Sequence, residues 1–308
     1  MAFTAADVKT LREMTGVGMM DCKKALSATD GDMDKAIEWL REKGMAASAK
    51  KAGRIAAEGM AYAAVIDGVG VVVEVNAETD FVGKNEKFVD FVKGVAATVA
   101  KENPADLDAL MNANYNGTDK TVLQQQQEMV LVIGENIKVR RFTRFEGGVS
   151  VSYVHMGGKI GVLVNFETDL PADKIQTPGK DAAMQIAALN PRFWDKSQVS
   201  DDVLAEEKKI MLAQMDNDPK MAGKPAQVKE KIVMGKMNKF YAENCLLQQE
   251  FVRKDVFDGT VGAYLADAAK KLGGTITFKN AVRFEKGEGI EKKEENFAAE
   301  IASLVKGS

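Results

Sequence analysis

An internal repeat constrains the fold of this 308-residue chain more than any other feature of its sequence. Two β-rich runs flank the turn Asp67-Gly68, and the sequence VNAETD follows at 75–80. The same order recurs around Gly157-Gly158, with VNFETD at 164–169, an offset of 89 residues from Asn to Asn (165 − 76). Apolar β-branched runs around a short glycine turn predict a β-hairpin. The sequence therefore predicts one hairpin–helix–helix–strand unit that is used twice.

Each predicted unit closes with a similar strand. Arg144-Phe145-Glu146 ends the first copy, and Arg283-Phe284-Glu285 ends the second. Before the first closing strand, apolar residues at helical spacing predict a helix over 88–99 and a second over about 119–133. We therefore predict an α+β fold whose body consists of two related subdomains with antiparallel hairpins. Their predicted bounds are 61–147 and 148–290.

Three further segments flank or interrupt the repeat. Helical periodicity broken by turns predicts an N-terminal three-helix bundle, with Gly44 as the stop of its last helix. Two charged arms with apolar stripes, separated by two proline-containing turns, predict an antiparallel helical hairpin inserted in the second copy. The end of the chain predicts a short helix. The predicted bounds are 1–45 for the bundle, 46–60 for a linker, about 198–248 for the hairpin and 291–308 for a C-terminal helical module.

Composition limits the classes of function. The 42 Lys and Arg against 45 Asp and Glu give a net charge of −3, so no overall basic field indicates a nucleic-acid partner. The N terminus lacks the pattern of a signal peptide, and Cys22 and Cys245 lie far apart, which predicts reduced thiols and a cytoplasmic protein. No apolar run reaches the ~18 residues of a membrane span. We expect neither direct nucleic-acid nor membrane contact.

Motifs of catalysis and cofactor binding are missing from the sequence. One histidine and two distant cysteines cannot form a four-ligand zinc site. The chain has no phosphate-loop sequence, no complete G-x-G-x-x-G and no G-x-S-x-G. We therefore expect a protein without a cofactor of its own that is not an enzyme.

The segment Thr79-Asp80-Phe81-Val82 stands where the first predicted hairpin gives way to a helix. A large rigid ring presented on such a turn is suited to wedge between side chains of another protein. From the residues alone, the more common alternative is a buried Phe81 with an Asp80 that only caps the helix. In the second copy Thr168-Asp169 is followed by Leu170-Pro171, which predicts a structural echo without the wedge.

Five motifs, in order along nearly the whole chain, resemble bacterial translation elongation factor Ts. They are Thr15–Leu26 (TGVGMMDCKKAL), Val75–Val82 (VNAETDFV), Ile133–Ile137 (IGENI), Ser152–Val164 (SYVHMGGKIGVLV) and Arg283–Ile290 (RFEKGEGI). The resemblance implies a guanine nucleotide exchange factor that binds elongation factor Tu carrying GDP, disturbs its Mg²⁺ and phosphate site and lets GTP replace GDP. It also implies a bundle like a ubiquitin-associated domain, a coiled-coil hairpin and a homodimer in a 2:2 complex as one form of assembly. Three positions depart mildly from the family pattern: Val17, Ala77 and Glu78 stand where Ala, Cys and Gln are frequent.

The resemblance also implies which residues contact elongation factor Tu. Phe81 would enter a pocket near the Mg²⁺ site with Asp80 beside it, while Met19 and Met20 would grip the nucleotide-binding domain. From the residues alone, one of the two methionines should be exposed, and simple bundle packing is an equal alternative. A strand-end His155 without a special role is likewise an equal alternative. The full expected contact set is Arg12, Met19, Met20, Thr79, Asp80, Phe81, Val82, Ile133, Gly134 and His155.

Three other interpretations remain open at this point. The three-helix N terminus is compatible with an adaptor for ubiquitin-like proteins. An acidic cluster could serve a carboxylate-based enzyme, although helix capping explains such acids more simply. Its members would be Glu74, Glu78, Asp80, Glu167 and Asp169. Lys50, Lys51 and Arg54 fit a solvated linker helix better than a basic contact with an acidic partner.

Overall fold

The computed structural model describes residues 3–291, and within them the chain forms ten α-helices and six strands. The helices are α1 (Ala5–Thr15), α2 (Met19–Ala28), α3 (Met33–Lys51), α4 (Glu86–Glu102), α5 (Leu107–Asn112), α6 (Val122–Ile133), α7 (Ala172–Leu189), α8 (Asp201–Asn217), α9 (Ala226–Asn244) and α10 (Val261–Leu272). The strands are β1 (Glu58–Ile66), β2 (Val69–Ala77), β3 (Lys138–Phe145), β4 (Val149–His155), β5 (Ile160–Thr168) and β6 (Ile276–Glu285). The α+β prediction is confirmed, whereas the C-terminal module predicted at 291–308 falls, except for its first residue, outside the described residues.

The N-terminal helices α1, α2 and α3 enclose a small apolar core around Leu11, Cys22 and Leu26. The expected stop at Gly44 is wrong, because α3 continues through it to Lys51. Gly44 faces the backbone of α6, where a Cβ would stand 3.2 Å from the carbonyl oxygen of Gln127. The glycine therefore allows α3 and α6 to approach closely. Because α3 is longer than predicted, only residues 52–57 connect it to β1.

The repeat is visible in the topology. Strands β1, β2 and β3 form one antiparallel sheet in that order, and β4, β5 and β6 form a second with the same order. Helices α4 and α6 cover the first sheet, and α7 and α10 cover the second. The short helix α5 was not predicted. Its six residues offer too few turns for a helical period to stand out.

Alternation along β2 explains how the two sheets pack face to face. Val71, Val73 and Val75 point to the helices of the first unit. Val72 and Glu74 point the other way, into the layer between the sheets. Small residues let the two sheets approach closely, since a Cβ on Gly161 would lie only 3.1 Å from backbone atoms of Ala61. The sheets are therefore in direct contact and form the centre of the molecule.

Helices α8 and α9 form the inserted hairpin, and they pack against each other through apolar residues that include Met237 and Phe240. Asp218-Pro219 and Lys224-Pro225 lie in the turn between them, as the sequence predicts. None of the helices within residues 3–291 combines the length and apolarity that crossing a bilayer requires.

Candidate partner-binding site

Phe81 projects into solvent from a turn between β2 and α4. Its side chain is 80% exposed, more than any other large apolar side chain in the described part of the chain. The following Val82 is 6% exposed and packs into the core of the first unit, so it anchors the turn. The alternative of a buried Phe81 is therefore wrong.

Asp80 does not cap α4. Asn85 is the cap, and its side-chain oxygen accepts from the backbone N–H of Lys87 at 3.0 Å. Asp80 is exposed and makes no hydrogen bond or ion pair with any of residues 3–291. Its carboxylate is thus free to accept donors from another molecule.

Glu135 holds the base of this turn. One carboxylate oxygen of Glu135 accepts from the backbone N–H groups of Glu78 and Thr79, each at 3.0 Å. The other accepts from the Thr79 hydroxyl at 2.7 Å. In the opposite direction, the Glu78 carboxylate accepts from the backbone N–H of Asn136 at 2.6 Å and pairs with Arg54 at 3.4 Å. We call the reciprocal contacts between 78–79 and 135–136 the carboxylate clasp.

A groove of about 560 Å³ runs between the N-terminal bundle and the first unit. Five of the expected contact residues line it: Arg12, Met19, Phe81, Val82 and Ile133. Its other lining residues are Gly16, Val17, Gly18, Asn85, Lys87, Val132 and Glu135. Segments far apart in sequence therefore meet on one concave surface of mixed apolar and charged character.

The two walls of the groove are joined directly. Gly16 ends α1 in the left-handed conformation (φ 68°), and the ammonium of Lys87 donates to its carbonyl oxygen at 3.3 Å. A cation at this position also suits the negative end of the helix dipole. Leu131 and Val132 of α6 pack into the core of the bundle. Contacts on both sides therefore fix the bundle against the first unit.

Both consecutive methionines are exposed, Met19 by 44% and Met20 by 65%. The prediction that at least one of them is exposed is confirmed; both lie in the first turn of α2, which begins directly after its N-cap Gly18. Met19 lines the groove, whereas Met20 is not among its lining residues. Gly134, also exposed, ends α6 in the left-handed conformation directly after Ile133.

His155 lies outside the groove, at the end of β4. Its Nδ1 is 2.8 Å from the hydroxyl of Tyr153. The next residue, Met156, is 71% exposed and adopts a positive φ of 47° in the hairpin turn. Met156 is not among the predicted contact residues, although its place before the Gly157-Gly158 turn indicates an exposed apolar side chain. The His155 turn is thus a second surface, separate from the groove.

The second copy of the turn is closed by its own hydrogen bonds. Asp169 accepts from the backbone N–H of Thr275 at 2.7 Å and from its hydroxyl at 3.0 Å, and the N–H bond lowers the pKa of Asp169. The Thr168 hydroxyl donates to the carbonyl oxygen of Thr275 at 2.6 Å. Leu170, in the place of Phe81, packs against the second core. This turn resembles the first but has neither an exposed aromatic ring nor an unbonded carboxylate.

The acidic residues of the enzyme hypothesis do not share a site. Glu74 is buried between the sheets, Glu167 pairs with Lys279 at 2.8 Å, and Asp169 is bonded to Thr275. Residues 3–291 contain no group of three His, Cys, Asp or Glu side chains arranged to hold a metal ion. The basic residue Arg54 forms an ion pair with Glu78.

Comparisons with known proteins agree with the motifs. The family model described as Elongation factor TS matches residues 78–288. The chain belongs to the elongation factor Ts family. Elongation factor Ts of Trichlorobacter lovleyi is 49% identical over 314 aligned positions, which cover 99% of each chain. Elongation factor Ts of Magnetococcus marinus is 45% identical over the full length of both chains, and that of Clostridium perfringens is 48% identical over 98% of each. The resemblance inferred from five motifs is confirmed for the whole chain.

Proposed function

We propose that this chain is a guanine nucleotide exchange factor for elongation factor Tu in translation elongation. The observation that carries the proposal is an 80% exposed Phe81 on a turn anchored by a buried Val82, in a member of the elongation factor Ts family. A large aromatic ring brings much rigid contact area to an interface, and aromatic residues are enriched at protein–protein interfaces.

Exchange requires differential binding and no bond-making groups. The factor must bind elongation factor Tu more tightly without nucleotide than with it, and by linkage GDP then weakens the factor to the same degree. A bound nucleoside diphosphate depends on Mg²⁺ held in strict octahedral geometry and on the backbone around its phosphates. In our proposal, insertion of Phe81 displaces an element beside that site, and a shift of about 1–2 Å is enough to weaken both contacts.

The other groove residues supply the affinity. Met19 provides an adaptable apolar contact. Arg12 provides a charged contact on the same wall, and the free carboxylate of Asp80 can accept from backbone N–H groups or a helix N terminus of the partner. Ile133 with Gly134 brings exposed backbone close to the partner surface. His155 and the neighbouring turn would contact a different part of elongation factor Tu, because they lie outside the groove.

The test is release of a fluorescent GDP analogue from bacterial elongation factor Tu, followed by stopped flow. Wild-type protein should accelerate release strongly, and Phe81→Ala should remove most of the acceleration. Leu189→Ala is the matched control, because Leu189 is also an exposed apolar residue, 47% exposed at the end of α7. No acceleration by the wild type would refute the proposal. Acceleration unchanged by Phe81→Ala would retain the activity and transfer the wedge to Met19, Met20 or Ile133-Gly134.

The remaining expectations stay predictions of the same proposal. The protein would act on the Mg²⁺–GDP site of its partner without a cofactor of its own, in the cytoplasm and without direct contact to nucleic acid or membrane. A 2:2 assembly with elongation factor Tu is tested by sedimentation of the mixed proteins.

A further inference from the structure

The two copies of the repeat can be aligned through the helices that precede their closing strands. Gly134 ends α6 and Gly273 ends α10, both in the left-handed conformation, with φ of 88° and 77°. The offset between them, 139 residues (273 − 134), also relates Arg144 to Arg283. Glu135 in the first copy therefore corresponds to Gly274 in the second.

This pair of positions explains why only one copy presents free groups. A Cβ on Gly274 would come within 2.6 Å of both the Asp169 carboxylate and the Leu170 side chain. The second copy thus needs a residue without a side chain there, and the aspartate of its own turn makes the closing bonds to Thr275.

In the first copy the closing bonds run in the reverse direction. Glu135 supplies the acceptor, and the turn supplies three donors: the N–H groups of Glu78 and Thr79 and the Thr79 hydroxyl. Asp80, which corresponds to Asp169, is then not needed to close the turn and makes no bond to residues 3–291. The residue after it is Phe81, in solvent.

We propose that Glu135 is a positioning residue that holds the Phe81 turn at a fixed distance from the Ile133-Gly134 turn. Hydrogen bonds to an ionised carboxylate are shorter and stronger than neutral ones, and the return bond from Asn136 to Glu78 makes the carboxylate clasp two-sided. Both proposed contact points on elongation factor Tu then move as one unit. This inference rests on the proposed exchange function.

The experiment compares Glu135→Ala with Glu135→Gln in the GDP-release assay. An amide oxygen can still accept both backbone N–H groups, and the Thr79 hydroxyl can turn to accept from the amide nitrogen. We expect Glu135→Ala to lower the acceleration by roughly tenfold or more, because a small displacement of a docking group is costly. Glu135→Gln should stay within about threefold of the wild type. Equal losses in both variants would overturn positioning and indicate a direct role of the charge.

Glu86→Ala is the matched control. Glu86 is an exposed acid in the first turn of α4, close in sequence to Phe81, and its side chain makes no hydrogen bond or ion pair with the described residues. Its loss should leave exchange unchanged. If Glu86→Ala lowers exchange as much as Glu135→Ala, general electrostatic attraction explains both and the positioning role is overturned.

A second arm asks whether Glu135 acts through Phe81. In the Phe81→Ala background, Glu135→Ala should have little additional effect on exchange, because the group that it positions is gone. Fully additive losses would contradict the proposal. Urea unfolding of the same variants separates this result from a general loss of stability.

A third arm needs no partner. Hydrogen exchange of the Thr79 amide should be slow in the wild type and in Glu135→Gln, and fast in Glu135→Ala. Equal protection in all three would overturn the clasp as the element that orders the turn. The wild-type protein could fail to accelerate GDP release from elongation factor Tu while these amide rates follow the expectation. The proposed function would then be refuted, whereas the role of Glu135 in ordering the turn would stand.

Discussion

The backbone N–H of Gly287 donates to the buried carboxylate of Glu74 at 2.8 Å, across 213 residues of chain. Asn76 and Arg140 add bonds to the same carboxylate at 3.0 and 2.9 Å, and Arg141 pairs with it as well. Burial alone would raise the pKa of Glu74, but these donors together lower it below the ordinary value. The end of the second unit is thus tied to an ionised group inside the first.

Glu74→Gln should therefore weaken the fold in a pH-dependent way. A carboxyl whose pKa is lower in the folded state stabilises the protein above the ordinary glutamate pKa of about 4.3. That stabilisation is lost as the pH falls through the folded pKa. The free energy of unfolding of wild type minus that of Glu74→Gln, from urea titrations between pH 6 and pH 3, should be constant above pH 5 and shrink below it. A difference that grows on acidification would contradict the sign of the shift.

Gly287→Ala should destabilise the protein by at least about 2 kcal/mol. Gly287 has a φ of 71°, and a Cβ there would stand 2.0 Å from the carbonyl oxygen of Ala57. Gly235→Ala is the matched control, because Gly235 lies in the exposed interior of α9 with nothing within 4 Å of a Cβ. It should raise helix stability by up to about 1 kcal/mol. Thermal unfolding followed by circular dichroism distinguishes the two, and equal effects would be inconsistent with this account.

Phe81 and Phe88 form a second matched pair, seven positions apart in sequence. Phe88 is completely buried in the core of the first unit. Phe88→Ala should cost about 3–5 kcal/mol, whereas Phe81→Ala should change the free energy of unfolding by no more than about 0.5 kcal/mol. Urea unfolding measures both. A large loss in Phe81→Ala would mean that the ring is packed in solution and is not available to a partner.

Cys22 and Cys245 should be unreactive in the folded protein. Both side chains are completely buried, and burial raises the pKa of each thiol. Because the thiolate is the reactive form, a thiol reagent at pH 8 should label neither cysteine until denaturant is added. Rapid labelling of Cys22 in native buffer would show that the N-terminal bundle opens readily.

The repeat, its hairpins and most helices could be predicted because they depend on local periods and turn residues. The hairpin turns at Asp67-Gly68 and Gly157-Gly158 are of this kind. The predicted helix stop at Gly44 is wrong because the glycine is required by the close approach of α6, more than 80 residues away along the chain. The carboxylate clasp between Thr79 and Glu135 could not be predicted from the sequence, because its two sides are also far apart along the chain. Exposure of Phe81 followed from the family resemblance and not from the residues themselves.

The unbroken course of α3 past Gly44 bears on how the chain would meet another protein. The helix lies along α6, and only residues 52–57 connect it to β1, so the two walls of the groove pack directly against each other. A preformed surface pays little conformational entropy on association. Encounter would then be limited mainly by diffusion and orientation, and variants of the groove should differ chiefly in how long the complex lasts.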